Sequence, residues 1–198
     1  MAASSSGESG DADVTVTTAP YGDRSGSVGA RDGCGTLPGM TDPADRLAPA
    51  DQRALAVRLF NHTWELLESS RDAAADRELL ATALASRLHW QDVGTDENLA
   101  AGDWLVAHVA SHLGYADLAL DFAAAAHERA TTAEPPVELW LVASAQEGMA
   151  RAHAVAGHDQ ERDQWAADAR ATLAGVDDDE DRELIESQLA TVPGLTEP

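Results

Sequence analysis

The side chains best able to do chemistry gather between His89 and His108. That stretch holds His89, Trp90, Asn98, Trp104 and His108, interrupted by Val93-Gly94-Thr95. An unperturbed imidazole titrates near neutral pH, so His89 is the candidate proton-transfer residue. Indole N–H groups and a carboxamide would add directional polar contacts to an otherwise apolar pocket. On that reading the group takes a small molecule, as an enzyme or a sensor. On the structural reading, Trp90 and Trp104 fill gaps between alanines, while His89 and Asn98 satisfy backbone groups at a turn. Both stand at this point.

A second group lies further along the chain. Arg151 and His153 fall in the frame of an inner helix, where stacked repeats present binding residues. Glu147 and Arg151 are four residues apart in the favourable order, which also suits a plain helix-stabilising ion pair. His108 and His112 have the spacing that can place two imidazoles on one metal. No Glu follows the first of them and no second His pair repeats the motif, so no metal site is expected. Gly-rich phosphate loops, a Gly-x-Ser-x-Gly elbow and a nucleophilic cysteine outside the N-terminal tail are also missing, and no cofactor is expected.

Periodicity supplies the elements that must position these residues. Leu113-Gly114 ends an amphipathic run, and Ala119 and Ala126 follow five and twelve residues after that glycine. Gly157 is followed at the same offsets by Arg162 and Ala169. A helix-ending glycine with small residues at fixed steps is the grammar of a tetratricopeptide-like hairpin. About seven helices are expected: Pro49 or Asp51 to Glu68, Ala75 to Trp90, a third from a Thr95 or Asp96 cap to Leu113, Ala116 to Ala130, a fifth from Val137 to Gly157, Asp159 to Leu173, and a last one after the acidic run Asp177–Asp181. The predicted architecture is all-α, a stack of antiparallel helical hairpins over residues 43–198. Residues 1–42, rich in Gly, Ser, Asp and Thr, are expected to form a disordered tail, with Met40 a plausible alternative start.

Composition limits the partners. Thirty-five acids face thirteen bases, giving a net charge of −22, and every base is arginine. Nothing here could neutralise a run of phosphates, so nucleic acid and anionic membranes are excluded as partners. Acidity without lysine suits a salt-accumulating cytoplasm, where self-repulsion is screened; a high-GC genome would leave a similar signature. The single cysteine, Cys34, cannot form an internal disulfide, and neither a secretion signal nor an apolar span is present. A cytoplasmic location is expected.

The chain resembles a family of small bacterial and archaeal tetratricopeptide-like helical proteins, largely uncharacterised. His89-Trp90, Val93-Gly94-Thr95, Asn98 and Gly102-Asp103-Trp104, in this order, carry the resemblance. It extends from about Leu59 to Pro193 and includes Arg151 to Gly157 and Ala190 to Pro193. Where that family carries an arginine, this chain has Ala101. The resemblance implies the helical fold and brings no reaction with it. The leading expectation is therefore a binding or adaptor protein whose concave groove, lined by alternate helices, holds a peptide or partner protein. Arg87 or Arg151 could meet an acidic tail, although the net field favours a basic or apolar ligand. Homo-oligomerisation stays open.

Overall fold

Local signals in the sequence set the helix ends. The computed structural model describes residues 47–195; the tail expected over residues 1–42 lies outside them. Among the described residues there are seven helices and no strand: α1 (Pro49–Glu68), α2 (Ala73–Val93), α3 (Asp96–His112), α4 (Ala116–Thr132), α5 (Leu139–Ala156), α6 (Asp159–Leu173) and α7 (Asp179–Ala190). Pro49 opens α1, where its missing N–H costs nothing. Asp72 caps α2, its carboxylate accepting from the N–H groups of Ala74 and Ala75 at 2.9 and 3.0 Å. Asp178 does the same for α7, so the acidic run that follows it lies at the positive end of a helix dipole.

The repeated glycine frame is realised twice with the same geometry. Gly114 and Gly157 both have φ of +76°, a conformation that side chains with a Cβ rarely adopt. Beyond each glycine the next N–H reaches back five residues: Tyr115 donates to the Ala110 carbonyl and His158 to the His153 carbonyl, both at 2.9 Å. These bonds satisfy carbonyls that the helix end leaves open, and they turn the chain back on itself. Gly94 serves differently. Its backbone is extended, but a Cβ there would sit 2.6 Å from the Trp90 carbonyl oxygen.

The all-α chain stacks as antiparallel hairpins α1–α2, α3–α4 and α5–α6, with α7 packed on α5 and α6. The backbones of α1, α3, α5 and α7 approach in succession, whereas those of α2, α4 and α6 stay further apart, α4 and α6 meeting through the His127 and Trp165 rings with 4.7 Å between centres. The odd-numbered helices therefore form the more closely spaced layer. Small residues make that spacing attainable. Ala119 and Ala126, at the two offsets after Gly114, are fully buried, and Ala107, Ala110 and Ala152 join Ala119 in one alanine-lined contact. Arg162 occupies the position equivalent to Ala119 and is nevertheless buried, its guanidinium held by Asp159 and Asp163. Helix α3 is the axis of the molecule, with Asn98 and every residue from Ala100 to Ser111 buried.

Candidate functional site

Two buried carboxylates organise the middle of α3 and α5. Asp103 on α3 is fully buried and takes one arginine on each oxygen. Arg87 of α2 donates to Oδ1 at 2.7 Å and Arg129 of α4 donates to Oδ2 at 2.9 Å. Gly102 makes room for this crossing, since a Cβ there would meet Arg87 Cγ at 3.3 Å. Helices α2 and α4 are thus tied through one residue of α3. The charge is removed from water, and it is tolerated because both oxygens are paired.

Glu147 on α5 is the second buried carboxylate. Trp104 donates its indole N–H to Oε2 at 3.3 Å, and Arg151 donates Nε–H to Oε1 at 2.7 Å. Arg151 Nη2 continues to the Gln188 carbonyl at 2.7 Å and to Thr191 Oγ1 at 2.8 Å, both at the end of α7. The ion pair expected from the four-residue spacing is present, but it is buried and also holds the last helix in place. Gly148 is the notch that lets the indole in: a Cβ there would lie 2.9 Å from Trp104 Cδ1.

An aromatic row runs from this point across the layer of odd-numbered helices. Trp64 of α1 lies 5.8 Å from Trp104 and 5.3 Å from His108, measured between ring centres. His108 in turn lies 4.5 Å from His112. His108 is buried, and its Nδ1 has no hydrogen-bond partner. Burial first, then the charge of Arg151 and then His112, push its pKa well below the ordinary imidazole value. The ring is therefore neutral at pH 7. His112 is lowered too, chiefly by burial, against a raising contribution from the His108 carbonyl 3.0 Å from its Nδ1.

The structure distributes the residues singled out in the sequence over three places. Trp104, His108 and Arg151 share the row just described. Trp90 and Asn98 lie at the α2–α3 turn, against Gly94. Trp90 is almost fully buried beneath the Arg53 guanidinium, which sits 5.3 Å from its ring centre. Asn98 completes a capping box with Thr95: its side-chain oxygen accepts from the Thr95 N–H at 3.0 Å. His89 is half-buried one residue before Trp90 on α2. His153 sits at the end of α5, where its Nδ1 lies 3.2 Å from Nδ1 of His158. Arg87 and Arg151, considered above for an acidic tail, both spend donors on internal carboxylates.

Sequence reasoning left out Trp64, Arg129 and the depth of Asp103 and Glu147. The legible signal was a glycine beside each acid, Gly102-Asp103 and Glu147-Gly148, in helices otherwise rich in alanine. Among the described residues no group of three or more His, Cys, Asp or Glu side chains is placed to hold a metal. No described helix is long and apolar enough to cross a membrane. No family model, curated protein or solved structure matches the chain.

Proposed function

We propose that this chain is a tetratricopeptide-like adaptor that recognises a peptide or partner protein along its concave layer. One observation carries the reading: a single row of contacts crosses all four inner helices. It runs from Trp64 on α1 through Trp104 on α3 and Glu147 and Arg151 on α5 to the end of α7. Such a row stiffens the floor of a groove, and a rigid floor lowers the entropy lost when a ligand docks. The half-buried Trp64 at its start supplies the kind of anchor that dominates recognition surfaces. With a net charge of −22, the ligand is expected to be basic or apolar. The same charge, carried without lysine, favours a cytoplasm of high salt as the working medium.

The test is a capture experiment at molar potassium chloride with wild type and Trp64→Ala side by side, read by mass spectrometry. A partner held by wild type and lost by a Trp64→Ala protein of unchanged helicity is the expected result. Equal capture by both proteins would remove the groove from consideration.

A further inference from the structure

The aromatic row ends in a cleft of about 350 Å³ between the α1–α2 and α3–α4 turns. Its wall is made by Ser69, Arg71, Asp76, His112, Leu113 and Tyr115. Arg71 is held in place from behind. Its Nε donates to Asp76 Oδ1 at 3.1 Å, and Nη1 donates to the carbonyls of Leu66 and Leu67 at 3.2 and 2.5 Å. Those bonds leave the two N–H groups of Nη2 without an acceptor among the described residues, on a guanidinium already fixed in orientation.

His112 is held in a complementary way. Its Nδ1 lies 3.0 Å from the His108 carbonyl, which can only accept, so the proton of the neutral ring sits on Nδ1. Nε2 then carries a lone pair, and burial favours this neutral form. The cleft thus offers a cationic donor, a hydrogen-bond acceptor and the Tyr115 phenol. Asp76 in the same wall disfavours a bare anion and favours a ligand that brings a donor of its own.

We propose that this cleft binds a small carboxylate bearing a neighbouring O–H or N–H group, the pattern of a hydroxy acid or an amino acid. The carboxylate goes to Arg71 Nη2 and the donor to His112 Nε2, with Leu113 and Tyr115 covering the carbon skeleton. The proposal does not rest on the groove, because none of the groups it uses is assigned to the adaptor reading.

The experiment titrates the full chain with sodium lactate, sodium propionate and sodium chloride at constant ionic strength, following the His112 and Tyr115 ring resonances by NMR, with Tyr115 as the reporter where His112 is replaced. Lactate is expected to shift the His112 and Tyr115 signals saturably. Propionate, which lacks the hydroxyl, should bind about tenfold more weakly, the worth of one hydrogen bond. Arg71→Gln should abolish both. Because Arg71 also braces the turn, His112→Phe provides the second arm: it preserves those braces and should make lactate and propionate equal. Equal affinity of the two acids for wild type, a shift that never saturates, or a lactate preference that survives His112→Phe would each overturn the site.

Discussion

Arg151 shows what a single residue does here beyond its own helix. Its guanidinium is almost fully buried, and three of its hydrogen bonds go to Glu147 and the end of α7. Replacing it with methionine keeps much of the stem's packing but leaves Glu147 as a buried carboxylate with only the Trp104 indole as donor. A loss of about 3–5 kcal/mol is expected in urea unfolding, the cost of stranding one partner of a buried pair. The paired variant Arg151→Met with Glu147→Gln should recover a large part of that loss. His108 makes a different prediction. Its folded pKa is depressed, so between that value and about 6.5 the unfolded chain binds more protons than the folded one. Stability is therefore full above about pH 6.5 and falls by up to about 1.4 kcal/mol per pH unit below it. His127 and His153 shift in the same direction, as does His112, so the slope contains several groups. His108→Phe should make the acid limb shallower between pH 7 and 5; an unchanged limb would show that His108 is not charging there.

Helices pack closely in this molecule because side chains are absent where neighbours must pass. Gly148 is the sharpest case, with the Trp104 ring 2.9 Å from where its Cβ would be. Gly148→Ala should cost about 1–3 kcal/mol through overpacking despite the better helix propensity of alanine. It should also alter the fluorescence of the buried indole. A neutral or stabilising outcome would mean that α5 can shift away from α3 without penalty. Much at this scale was legible beforehand. The glycine ends at Gly114 and Gly157 and the acidic start of α7 mark boundaries through bonds made within a few residues. The faces of the helices were harder to read. The run ending at Leu113 reads as amphipathic, yet α3 is covered on nearly every side, because helices distant in sequence close around it.

Charge is the property that belongs to the whole molecule. Arginines are few, and several of them are spent inside: Arg87 and Arg129 on Asp103, Arg151 on Glu147. The surface is left more one-sided in sign than the composition alone implies. Self-repulsion over such a surface acts across roughly 10 Å at 0.1 M salt and only about 3 Å at 1 M. Helical circular dichroism is expected to fall, and the unfolding midpoint to drop, as potassium chloride is withdrawn from molar to millimolar levels. The internal ion pairs are shielded from salt, so they should not reverse that trend. Full helicity retained in dilute buffer would assign the arginine-only, acidic composition to the genome and not to the medium.

Hydrophobic period, caps and glycine turns act over one or two turns of chain, so seven helices and their order are legible in the sequence. Their ends are less so: α2 runs over Ala73–Val93 where Ala75 to Trp90 is expected, and α5 opens at Leu139 where Val137 is expected. It also marked Trp104, His108 and Arg151 as unusual. What those residues meet is settled by the packing of helices far apart in the chain. Asp103 finds its arginines 16 residues before it and 26 after, and Trp104 finds Glu147 at a separation of 43. Such pairings depend on which helix faces come together, a choice made by packing volume and by the few glycines that let side chains cross.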